Sequence, residues 1–89
     1  MVSLNQALLE GKVESVTKSK DEAQLLLRHS CGAESFTVMC RFRKEIAWTT
    51  DGLKQGDDVR IVGFLRKDGH IYIDVEHIEI RRKNEDLQV

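Results

Sequence analysis

Eighty-nine residues fit one small domain, and a chain of this size buries only a little over half of the surface it exposes when unfolded, so its core is small. Hydrophobic residues make up 40% and charged residues 33%, an ordinary soluble balance, and no apolar run approaches the roughly 20 residues that a membrane-spanning helix needs. A net charge of −1 argues against nucleic-acid binding through an overall positive field, but basic residues cluster locally at Arg41, Arg43 and Lys44, at Arg66 and Lys67, and at Arg81, Arg82 and Lys83.

The opening Met-Val-Ser-Leu-Asn has no basic segment leading into an apolar one, so no secretory signal is read and a cytoplasmic location is expected. Two cysteines are few for a secreted scaffold of this size. Cys40 is expected as a free core thiol and Cys31 as a turn thiol. His29, His70 and His77 are scattered, and zinc held through His29 and Cys31 would need two further ligands that the sequence does not place nearby. No metal or cofactor is expected.

In chain order, Asn5 to Thr17 alternates imperfectly, with Leu8, Leu9, Val13 and Val16 apolar. Gly11 inside that pattern signals a bulge or a sharp coil where another backbone comes close. After a polar turn over Lys18 to Glu22, Ala23, Leu25 and Leu27 alternate with Gln24, Leu26 and Arg28 in a second strand, and Ser30, Cys31 and Gly32 form the next turn. The third strand, 34–44, sets Phe36, Val38, Cys40 and Phe42 on an inward row, against an outward row of Ser35, Thr37, Met39, Arg41 and Arg43 that turns basic toward its end.

Between Lys44 and Leu53 the period changes, and Ile46 and Ala47 mark one short helix that plugs the structure. A fourth strand follows, with Val59, Ile61, Gly63 and Leu65 opposed to Arg60, Val62, Phe64 and Arg66. Lys67-Asp-Gly-His70 is a hairpin turn, because Asp-Gly between alternating runs supplies the positive φ that a tight turn requires. The fifth strand starts with Ile71, Ile73 and Val75 inward against Tyr72, Asp74 and Glu76; parity slips near His77, so a bulge is expected before Ile78 and Ile80.

The order is three strands, a short helix and two strands. A five-stranded sheet this small must curl and close to protect its edges. The expected fold is therefore all-β, a five-stranded Greek-key OB-fold barrel with one short helix between strands three and four. Residues 1–83 are expected to form this single domain and residues 84–89 a short tail.

Four stretches carry a family resemblance: Leu9-Glu-Gly-Lys-Val13, Phe36 through Ala47, Leu53-Lys-Gln-Gly-Asp-Asp-Val-Arg-Ile-Val-Gly-Phe-Leu65, and Val75-Glu-His-Ile-Glu-Ile80. Across roughly residues 5–82 the chain resembles bacterial single-stranded DNA-binding proteins and their relative, primosomal replication protein N. The resemblance implies a non-enzymatic, largely sequence-independent module acting in DNA replication, repair or plasmid maintenance. Its implied partners are single-stranded nucleic acid, with DNA favoured, further copies of the chain in a dimer or tetramer, and replication proteins. The long tail with an acidic, hydrophobic tip that single-stranded DNA-binding members carry has no counterpart in Asn84 to Val89, which favours a tailless type.

Single strands are held by cations along the phosphates and flat rings under the bases. Candidate cations are Arg41, Arg43, Lys44, Arg60, Arg66 and Lys67, with Lys18 and Lys20 near the loop after strand one. Candidate rings are Phe36, Phe42, Trp48, Phe64 and Tyr72. Trp48 reads as a packed cap on the barrel. The resemblance sets the family's stacking aromatics on the row of Phe36 and Phe42, whereas alternation turns that same row into the core, so the two faces of strand three compete as the ligand face. Val62 beside Phe64 on an outward row points to dimerisation. There is no phosphate-cradling glycine loop and no Ser/His/Asp or Cys/His arrangement of recognisable spacing, so no catalysis is expected. Two alternatives share the fold: an RNA-binding barrel of the translation or tRNA-related kind, and a protein-interaction barrel that docks through Val62, Phe64 and Tyr72.

Overall fold

Alternating rows and well-placed glycines curl the chain into a closed barrel in the computed structural model, which describes residues 4–81. The strands are β1 (Ala7–Lys18), β2 (Glu22–Cys31), β3 (Glu34–Arg43), β4 (Asp58–Asp68) and β5 (His70–Arg81), with a 3-10 helix, Lys44–Thr50, between β3 and β4. They close in the order β1-β2-β3-β5-β4. Neighbours are antiparallel except β3 and β5, which meet in parallel at Cys40–Ile73 and Arg41–Asp74. This is the OB-fold barrel expected from the sequence.

The strand β1 divides its length between its two neighbours. Ala7–Lys12 of β1 pairs with β4, and Lys12–Lys18 pairs with β2. Gly11 stands at that corner, and a Cβ there would lie 2.2 Å from the Arg28 carbonyl oxygen, so only glycine lets the two backbones meet. The bulge itself falls at Glu14, left over between the pairs Val13–Leu27 and Ser15–Leu26. A second bulge at Glu76, between Val62–His77 and Gly63–Val75, is the parity slip read near His77.

The inward rows make the core, led by Phe42, Leu25, Leu27, Ile61 and Ile73, each fully buried. Alternation gives the side on which a residue stands, and tertiary structure decides how far along that side the barrel extends. Phe36, Leu65 and Ile71 stand on inward rows and are nevertheless about half exposed, because the β2–β3 and β4–β5 hairpins run past the rim. At the second overhang, the Asn5 side chain donates to the Leu65 carbonyl at 2.9 Å and accepts from the Leu65 amide at 2.8 Å, standing in for a strand partner.

The 3-10 helix plugs one end with Ile46 and Ala47 against the core and Thr50 buried. The Thr49 and Thr50 hydroxyls donate to the Ile46 and Ala47 carbonyls. Trp48 corrects the expectation of a packed cap: it is 68% exposed, because the helix spends its inward face on Ala47 and Thr50, one 3-10 turn apart. Cys31 is free and exposed; Cys40 is free and buried, with its thiol pKa pushed up to about 12 by burial. No described helix is long and apolar enough to cross a membrane. The tail expected over 84–89, and the basic residues Arg82 and Lys83, lie outside the described residues.

Candidate nucleic-acid interface

A single row of cross-strand neighbours runs around the outside of the barrel. Thr17 of β1 faces Gln24 of β2, Gln24 faces Arg41 of β3, Arg41 meets Asp74 of β5, and Asp74 faces Phe64 of β4. All five alternate with inward residues, so their side chains share the outer surface. Closure brings strands three and five side by side although the helix and β4 separate them in sequence. That juxtaposition gathers the basic end of β3 with the polar row of the β4–β5 hairpin.

Three arginines meet there. Arg66 Nε donates to Asp74 Oδ2 at 2.9 Å, and Arg43 Nε lies 3.8 Å from Asp74 Oδ1. The Asp74 side chain is only 16% exposed, so it forms a fixed floor beneath two exposed guanidiniums. Its hydrogen bond and its charge push the Arg66 pKa further up. Arg41 stacks on Tyr72, with Cζ 4.2 Å from the ring centroid, and reaches Asp68 through Nη1 only at 3.5 Å. Phe64 is half-buried beside Asp74. Cations and rings interleave on this patch, the combination that holds a phosphate chain and stacks its bases.

The remaining candidates distribute differently. Lys44 is exposed at the start of the helix, next to Arg43. Lys18 is ion-paired with Asp51 across the plugged end, and Lys20 is exposed in the β1–β2 turn. Lys67 pairs in register with Ile71 on the overhang, on the opposite row of β4 from Arg66. Phe36 is 49% exposed on the other overhang, with its ring 5.4 Å from that of His29.

One candidate is corrected, and another stands apart from this patch. Phe42 is fully buried, so it is core and meets no ligand. Arg60 shares the outward row of β4 but lies six residues, about 20 Å, from Arg66. There it serves a separate ionic cluster: Nε and Nη2 donate to Glu10 Oε2 at 2.9 and 2.6 Å, and Arg81 Nη1 donates to the same oxygen at 2.8 Å. The Arg60 hydrogen bond, its charge and then Arg81 hold the Glu10 carboxyl below its usual range. Asp74 is the residue that a search for cations passes over; its position on the outward row of strand five, two residues after Tyr72, was the available signal.

Among the described residues no group of three or more His, Cys, Asp or Glu side chains is placed to hold a metal ion. No family model matches the chain, and no curated protein sequence does. Solved structures do. The chain is similar to the protein PriB from Ralstonia solanacearum, at TM-score 0.78 and 15% identity over 90% of this chain and 100% of that one. It is similar to the second single-stranded DNA-binding protein of Mycobacterium smegmatis, at TM-score 0.75 and 14% identity over 85% of this chain and 87% of that one. A third neighbour is the Stn1–Ten1 complex of S. pombe, at TM-score 0.75 and 11% identity; the match covers 89% of this chain and 60% of that one. At such identities the likeness is one of fold. PriB and single-stranded DNA-binding proteins are the group whose motifs the sequence resembles.

Proposed function

We propose that this protein binds single-stranded DNA with little regard to sequence, as a non-enzymatic OB-fold module of cytoplasmic DNA replication, repair or plasmid maintenance. The observation that carries the reading is the gathering of Arg41, Arg43 and Arg66 with Tyr72 and Phe64 on one outer face of β3, β5 and β4. Phosphates run along the guanidiniums and Lys44, and bases lie against the rings. The likeness in fold to a single-stranded DNA-binding protein supports this assignment.

A second copy of the chain is proposed to dock on the outer face of β1 and β4, where Leu8 and Val62 are cross-strand neighbours and Leu8 is 62% exposed. The two basic faces of such a dimer would extend one binding track.

The test is a titration of labelled oligothymidine against the wild type and the Arg41→Glu, Arg43→Glu double variant, over a range of salt, with the mass measured in solution. The wild type is expected to bind more weakly as salt rises, and the double variant to lose most of its binding at every salt. No wild-type binding at low salt would overturn the function. Tighter binding of oligouridine than of oligothymidine would move it to RNA.

A further inference from the structure

We propose that Arg41 is a cover on Tyr72 that the ligand displaces: a phosphate of the bound single strand takes the guanidinium, and a base takes the ring face so uncovered. This rests on the single-strand-binding reading above and assigns the order of events at that same surface.

The three arginines of the face are not equivalent. Arg66 is tethered by a close hydrogen bond to the half-buried Asp74, and Arg43 faces the same carboxylate. Arg41 has a different environment. It lies flat over Tyr72 at 4.2 Å, its contact with Asp68 is at the long limit of 3.5 Å, and the Asp68 side chain is 71% exposed. Its Nε is buried and has no hydrogen-bond partner. A buried N–H without an acceptor is a cost that native structures seldom carry. The covered state thus leaves one of the guanidinium's five donors both buried and unused.

Phosphate reverses that balance. Its oxygens accept paired, charge-assisted hydrogen bonds from Nε and an Nη, the geometry for which the guanidinium fork is suited. Moving Arg41 out to a phosphate satisfies the orphaned donor and bares the Tyr72 ring in one step. The guanidinium is then replaced on the ring by another flat, polarisable group, the base. Cation–π contact holds the side chain while no ligand is present, and base stacking holds the ring afterwards. Arg66, opposite Tyr72 in register, stays on Asp74 and keeps a positive charge at the site throughout.

Tyr72 is the sole tyrosine of the chain, so its ring protons report without ambiguity. The experiment follows them by NMR while oligothymidine is titrated into the full chain, alongside anisotropy measurements on Arg41→Ala, Tyr72→Leu and Tyr72→Phe. Saturating oligothymidine is expected to shift the wild-type ring signals upfield, as stacking under a base requires. Tyr72→Leu is expected to bind about tenfold more weakly, the scale of one lost stack, and Tyr72→Phe to bind like the wild type. Arg41→Ala is expected to lower the salt slope by about one while the Tyr72 ring shift persists. Salt-sensitive binding with unmoved ring signals and an unaffected Tyr72→Leu would overturn the cover and leave the function standing. Loss of the ring shift in Arg41→Ala, with binding retained, would show that the base stacks only where Arg41 stays and would overturn it too. Absence of wild-type binding would remove the function and the cover together.

Discussion

Asp74 accepts a hydrogen bond from Arg66 at 2.9 Å and faces Arg43 with the same carboxylate, while its backbone meets that of Arg41 in the parallel β3–β5 pairing, so one residue links three arginines. It neutralises part of the charge that a phosphate chain would otherwise meet. Asp74→Asn is therefore expected to tighten oligothymidine binding several-fold at low salt and to steepen its salt dependence by about one unit of slope. Fluorescence anisotropy over a salt series checks this. Weaker binding would mean that Asp74 matters more as the holder of the arginines than as their competitor.

Gly63 bears on the same pairing from beneath. A Cβ there would lie 2.3 Å from the Asp74 carbonyl oxygen and 2.8 Å from Ile73 Cγ2, both in the wall of the barrel. Gly63→Ala is expected to cost about 1–3 kcal/mol of stability, as overpacking does, measured as a lower urea midpoint. Gly32→Ala, by contrast, meets nothing within 4 Å and strains only the φ of 65° at its turn. Its cost is expected to be the smaller.

Phe42 and Phe36 separate core from surface on one strand. Phe42→Leu is expected to lower the unfolding free energy by about 1–2 kcal/mol through the volume lost in the core, and to leave oligothymidine affinity of the folded protein within twofold. Phe36→Ala is expected to cost less than about 1 kcal/mol, since half its surface is already in water. Chemical denaturation and binding, measured on the same samples, distinguish the two.

The ionic cluster away from the proposed interface gives a pH signature. The Arg60 hydrogen bond is the main cause that holds Glu10 below the ordinary 4.5. A folded pKa below the unfolded one contributes stability that is complete above about 4.5 and is lost as pH falls through the folded value. Urea midpoints are expected to fall as the pH drops below about 4.5, and Glu10→Gln to flatten that part of the decline. Because the Glu10 side chain is half exposed, the effect is small and shrinks with added salt.

Local chemistry is why so much of the fold was legible. Period-two alternation marked the inward rows of β2 to β5, Asp68-Gly69 marked the hairpin, and a slipped parity near His77 marked a bulge, because each depends on a few adjacent residues. Gly11 pointed correctly to a close backbone, although the bulge it suggested sits at Glu14. Alternation also assigned Phe42 to the core against the implication of the family resemblance, which set ligand-binding rings on that row.

The sequence by itself determined which residues share a side of each strand, since that follows from backbone geometry alone. Tertiary structure decided what those sides face. Barrel closure brings β3 against β5 and puts Arg41 on Tyr72, a contact between residues 31 positions apart that no local pattern encodes. It also sets the rim, which leaves Phe36, Leu65 and Ile71 in water on rows that read as core, and sends Arg60 to Glu10 while Arg66, on the same row, goes to Asp74. The physical reason is common to all three: the position of the rim and the identity of the neighbour across it are set by how five strands close on one another.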